Sequence, residues 1–153
     1  MERWELEYSL YLSHYKEKMH ATLTRRIDKV INFALLITGS AVFADFGGNM
    51  FFGLVVAALS ALSYVGEFSK SSTEASRLAK EYHQIIIAKD SLSDEELSKV
   101  FQDLNKSDSP VWNCLSAAAR NRTKLALYGR NQADLEKYSW FDAVMSWLAG
   151  DKP

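Results

Sequence analysis

Three histidines, one cysteine and a short run of cations are the residues of this chain whose types could carry chemistry. His14 and His20 lie six positions apart, which turns them to different faces of a helix. A helical zinc pair needs the i, i+4 spacing, and His83 stands far from both, so no metal site is expected. Cys114 sits among apolar residues, and a packed core thiol is the expectation rather than a nucleophile, which needs an electropositive, accessible setting. Arg120, Arg122, Lys124 and Arg130 form a local basic patch. It is a candidate contact for a nucleotide phosphate or a lipid headgroup, against the plainer role of cations near a helix end. No acid–base or nucleophile pair stands at useful spacing, and Gly47-Gly48 is a lone pair rather than a glycine-rich phosphate loop. The expectation is a protein that is not an enzyme and uses no cofactor.

The elements that would position these residues follow from composition. The chain has 153 residues, one domain's worth, and a net charge of −1, which does not suit a partner made of nucleic acid. A single cysteine allows no disulfide framework. With 7 glycines and 2 prolines, long helices are permitted and an all-α fold is predicted. Although 24% of residues are charged, the mean hydropathy is only slightly negative. The apolar residues must therefore be concentrated.

They lie between Lys29 and Glu67. Val30 to Ala44 is uncharged, Asp45 interrupts, and Phe46 to Gly66 is uncharged again, with Gly47, Gly48 and Asn49 as turn residues between. This predicts helix, tight turn, helix: two membrane segments at about 28–45 and 50–67, or the buried core of a soluble bundle. At 1.5 Å per residue the first run is roughly 22 Å long, short of a hydrocarbon core of about 30 Å. Arg25, Arg26 and Lys29 precede the pair and Lys70, Arg77 and Lys80 follow it, while the connection has no Lys or Arg. That is the positive-inside pattern for two cytoplasmic termini. The early acids Glu2, Glu5 and Glu7 are the wrong start for a signal peptide.

Two arms flank the runs. Trp4, Tyr8, Tyr11, Tyr15, Met19, Leu23 and Ile27 make one helix face, and a single helix is predicted from about Trp4 to Ala44. Ala75, Leu78, Ala79, Tyr82, Ile85 and Ile86 make the facing stripe of a helix expected to run unbroken from Met50 to about Lys89. Ser71 with Glu74 is either a capping box or part of that helix. A short helix opens at Ser93 with Glu96 at the capping-box position. Another is expected to start with Ser109 as N-cap and Pro110 as first helical residue, to place Val111, Cys114, Leu115, Ala118 and Leu125 on one face, and to end at Gly129. After it, 131–153 reads as a C-terminal amphipathic tail. Trp140, Phe141, Val144, Trp147 and Leu148 stand behind Ser139 as cap, suiting a membrane interface or docking on the bundle or a neighbouring subunit.

A tyrosine-rich helix, two apolar segments, a helix with Glu81-Tyr82-His83, an acidic capped helix and the Ser-Pro start SPVWNCLSAAARNRTK follow in that order. Over roughly Trp4 to Gly129 this resembles the SLATT family, the SMODS- and SLOG-associating two-transmembrane effectors of bacterial conflict systems. The resemblance implies a long antiparallel helical hairpin with two transmembrane segments and a cytoplasmic helical bundle over residues 1–130. It also implies an inner-membrane effector that forms pores or disrupts the membrane in anti-phage defence or abortive infection. Control by a nucleotide-signalling or sensor partner is implied as well.

Within the apolar runs, Gly53, Ala57, Ser60, Tyr64 and Glu67 share a stripe bordered by Ser63, and Asn32, Leu36, Gly39 and Ser40 cluster on the first helix. Small and polar residues so placed either let helices approach closely or line a water path in an oligomer. The leading expectation is a homo-oligomeric, membrane-permeabilising effector in contact with the lipid bilayer. The alternatives are a non-conducting scaffold or superinfection-exclusion protein acting through its cytoplasmic helices, and a soluble helical-bundle interaction protein.

Overall fold

A computed structural model describes residues 2–43, 49–130 and 133–151. Among the described residues the regular structure is all helical: α1 (Arg3–Phe43), α2 (Asn49–Gly66), α3 (Phe68–Ala88), α4 (Asp94–Asn105), α5 (Ser116–Tyr128) and α6 (Trp140–Leu148). Short 3-10 turns lie at Lys89–Ser91 and Asn113–Leu115. The expected turn at Gly47 and Gly48, with Ala44 and Asp45, lies outside the described residues.

No proline interrupts α1, and it runs 41 residues without a break, roughly 60 Å. It is antiparallel to α3. Arg3 donates to the carbonyl of Lys89 at 2.7 Å, His14 Nδ1 to that of Ala79 at 2.8 Å, and the Ser72 hydroxyl to that of Ala21 at 2.9 Å. Numbers rise on one helix as they fall on the other. Lys89 closes the far end on Glu7 at 2.6 Å. The stripe predicted on α3 is the buried one: Ala75, Leu78, Ala79, Tyr82 and Ile85 all face inward.

Two clusters make the core. Leu6, Leu10, Tyr82, Ile85, Leu97 and Phe101 join α1, α3 and α4. Met19, Leu23, Leu115, Ala118, Ala119 and Ala149 join α1 to α5 and the end of the chain. Because α1 is packed by several elements, it buries more than one stripe. Leu6 and Leu10, off the predicted face, are covered, whereas Trp4 is exposed and the tyrosines are half-buried.

Two local expectations need correction. The helix predicted from Met50 to Lys89 breaks at Glu67, whose φ of 42° and ψ of 33° are left-handed. That conformation costs a residue with a Cβ about 1–2 kcal/mol. Gly66 makes it possible, because the Phe68 ring folds back to within 2.2 Å of where a Cβ on Gly66 would stand. Ser71 consequently lies inside α3 and caps nothing. The second correction is the Ser109–Pro110 start. Ser109 does not cap: its N–H donates to Glu17 Oε1 at 2.9 Å. Residues 108–112 take no regular structure and α5 begins at Ser116, so Val111 is not helical. The tail takes the docked one of its two expected placements. Glu136 exchanges two 2.8 Å hydrogen bonds with Asn121, and Met145 and Leu148 pack on the second core cluster. The capping box Ser93–Glu96, the Ser139 cap on Asp142 and the positive φ of 73° at Gly129 stand where expected.

Candidate functional site

The unusual surface of the molecule is its apolar one. Among the described residues, one helical stretch, Met50–Ser91, contains a segment long and apolar enough to cross a membrane, and none of that segment is buried. Leu36 is 68% exposed, Phe51 68% and Tyr64 85%, with Val30, Phe33, Ile37 and Leu54 also open. Soluble monomers rarely leave so many large apolar side chains open along neighbouring helices. Neither core cluster draws a residue from 30–66.

α1 and α2 pack on each other through restricted faces. On α1 the covered positions are Ile31, Ala34, Leu35, Thr38 and Gly39; on α2 they are Phe52, Val55, Val56, Leu59 and Ser63. Both sets recur every three or four residues, as helix contact faces do. The stripe singled out above falls mostly elsewhere. Gly53, Ala57, Ser60 and Tyr64 point away from α1 and are exposed, and Ser63 alone of that group turns toward it. Glu67 marks the break and pairs with Lys70 at 3.3 Å. Asn32 is exposed and donates to Asp28, and exposed Ser40 donates to the Leu36 carbonyl. A Cβ on Gly39 or Gly53 would meet nothing within 4 Å, so neither glycine serves a close approach inside one chain.

The end of α6 is tied to the base of this region. Arg26 donates to the carbonyls of Trp147 and Leu148 at 3.1 and 2.8 Å, one turn before Val30. While Met145 and Leu148 pack inward, Trp140 (81% exposed), Phe141, Val144 and Trp147 (62%) face out together.

The basic patch on α5 is largely neutralised from within. Arg120 makes a bidentate pair with Glu136 at 2.7–2.9 Å, holding that carboxyl below the usual carboxylate range. Arg122 pairs with Asp151, and Lys124 reaches Glu136 at 3.5 Å and the Asp134 carbonyl at 2.9 Å. Arg130 is exposed beyond the end of α5. Cys114 is half-buried, and burial pushes its thiol up, away from the nucleophilic thiolate.

The sequence did not signal the polar groups inside the α1–α3 seam. Glu17 is 1% exposed, with Oε2 unpartnered, and burial pushes its carboxyl up to about 7. His20, also buried, shares a 2.9 Å hydrogen bond with Ser71 through Nε2, has no partner at Nδ1, and is pushed down by burial. The Tyr82 hydroxyl donates to Asp108, and burial raises it far above the ordinary tyrosine value. These partners lie on segments far apart in the chain, which is why spacing could not reveal them. The stacking of His14 on His83, ring centres 5.3 Å apart, is another case.

Comparison with protein-family models, curated proteins and solved structures finds no match for this chain.

Proposed function

We propose that the chain is an oligomeric membrane effector. The second half of α1 and all of α2 enter a bacterial inner membrane as an antiparallel hairpin, with segments at about 28–45 and 50–67. Both termini and the α3–α6 bundle stay on the cytoplasmic side. The copies associate to permeabilise or depolarise the membrane in anti-phage defence or abortive infection, under control of a partner protein or a nucleotide signal. The resemblance to SLATT effectors supplies the biology.

One observation carries the physical part: the longest apolar surfaces are exposed while the core is built elsewhere. A soluble bundle would bury those runs. Lipid covers them at no cost, and the charges of Arg25, Arg26, Lys29 and Lys70 fit the cytoplasmic border. α6 supports the same placement. Arg26, which holds the carbonyls of Trp147 and Leu148, lies roughly 6 Å along α1 from Val30, and a headgroup level suits the outward aromatic face of α6. Oligomerisation is supported by the stripe Gly53, Ala57, Ser60 and Tyr64, which α1 leaves open. One hairpin cannot enclose a pore, so conduction requires several.

The test begins with carbonate-washed membranes from expressing cells. Retention in the pellet and release only by detergent is the expected result; a soluble protein would remove the proposal. Purified protein is then placed in planar bilayers. Current that Ser60→Leu reduces, with the far-UV circular dichroism spectrum unchanged, supports conduction along the stripe. An embedded protein without current is instead a scaffold or exclusion factor.

A further inference from the structure

An open-sided groove of about 420 Å³ runs between α1 and α3 in the water-exposed half of the molecule. That volume falls within the range of small-molecule sites, roughly 300–1,000 Å³. Its walls are cationic. Lys18 and Arg25 rise from α1, Lys80 from α3, and His14 and His83 close one end. Its floor is small, formed by Ala21, Ser76 and Ala79, so a ligand can descend to the helix seam.

Two features separate this groove from an ordinary solvated face. No carboxylate lines it. Among the described residues, Lys18, Arg25 and Lys80 also enter no ion pair, although Arg77 and Arg122 nearby are each paired. Three like charges converging on a concavity raise the local anion concentration and repel one another until an anion arrives. The histidine end is preset. A carbonyl only accepts, so His14 Nδ1 must carry the proton given to Ala79, which fixes the ring and leaves Nε2 as its remaining polar atom.

We propose that this α1–α3 groove binds the phosphate of a small anion, with Lys18, Arg25 and Lys80 as its counter-charges. A dianionic phosphate fits three cations better than a single carboxylate does, and its oxygens can accept from all three walls. The phosphate could belong to a lipid headgroup or to a soluble molecule, and reach decides between them. Arg25 is roughly 8 Å along α1 from Val30, whereas Lys18 is roughly 18 Å away. The headgroup zone is only about 5–8 Å deep on each side, so a lipid would engage the Arg25 end alone. A soluble phosphate fills the whole groove. That choice of source rests on the membrane placement proposed above; the groove itself needs only the packing of α1 on α3.

The full chain in neutral detergent is titrated with inorganic pyrophosphate by calorimetry at pH 7. Saturable binding to one site per chain is expected. Lys18→Glu and Lys80→Glu should each weaken it about tenfold or more, and added salt should weaken the wild type. Lys80→Arg should retain it. Lys99→Glu on α4, the same charge change outside the groove, should leave the affinity within about twofold. Circular dichroism melts of the variants confirm folding, since both groove lysines are exposed. Absence of saturable binding overturns the site, as does equal weakening by Lys99→Glu. Nanodiscs with and without anionic phosphatidylglycerol separate the sources. If the anionic lipid displaces pyrophosphate from the wild type, the phosphate is a headgroup; if not, it is soluble.

Discussion

The two halves of α1 obey opposite rules. Before Lys29 the helix is covered on several sides, and the buried positions include Glu17, His20 and Thr24. After Lys29 it carries Phe33, Leu36 and Ile37 outward and covers little besides the face toward α2. In the first half, water outside makes burial of leucine worth about 2 kcal/mol, enough to bury some polar neighbours with it. In the second half the same side chains are left out. Under the membrane placement proposed above, one helix with two such patterns meets two solvents, and the change falls within a turn of Arg25, Arg26 and Lys29.

That contrast can be broken most sharply by matched truncations. Leu10→Ala, at a fully buried site, should destabilise the detergent-solubilised protein by about 3 kcal/mol in a denaturant melt. Leu36→Ala, at an exposed site, should change it by under about 1 kcal/mol, because lipid or detergent fills the space. Equal losses would mean that both halves are packed alike.

The second test uses pH. Glu17 titrates near 7 in the folded chain against 4.5 unfolded, so the folded state holds its proton more tightly. Its contribution is fully present below pH 4.5 and is lost as pH rises through about 7. The total is about 3 kcal/mol. Glu17→Gln should remove that slope, as read from melts between pH 4.5 and 8, while a groove-free substitution such as Lys99→Gln should not.

A smaller gain is expected at the junction of α2 and α3. Glu67→Gly relieves a left-handed backbone and should stabilise by roughly 0.5–1 kcal/mol, seen as a raised Tm. Smallest of all, Trp147→Ala should leave folding within about 0.5 kcal/mol, since the ring is exposed, yet weaken binding of the protein's α6 face to lipid. Loss of tryptophan quenching by brominated lipid checks the latter.

What could be foreseen from sequence was local or periodic. The buried stripe on α3, the Ser93–Glu96 box and the Ser139 cap depend on residues within a turn or two of each other, and all formed. The apolar runs were equally plain. What could not be foreseen depends on distant partners. Ser109 looks like a helix cap until Glu17, on another helix, takes its N–H. Arg120 and Arg122 look like a free basic patch until the chain returns with Glu136 and Asp151. The α1–α3 groove gathers Lys18 and Lys80, which no spacing rule connects. The break at Glu67 escaped for a different reason: left-handed positions are normally glycine, and here the glycine stands one residue earlier.

Glu67 also sets the mechanics. Under the membrane placement proposed above, α1 crosses from one environment to the other as a single unbroken helix. α2 is joined to α3 through the left-handed Glu67, whose carbonyl opens the α3 ladder by accepting from Ser71, so α2 and α3 are not one rod. α1 is thus one unbroken shaft and α2 a jointed segment. A change in what the open stripe of α2 faces would turn on that joint and on the α1–α2 contact face, with the packing of α3 on α1 left as it is.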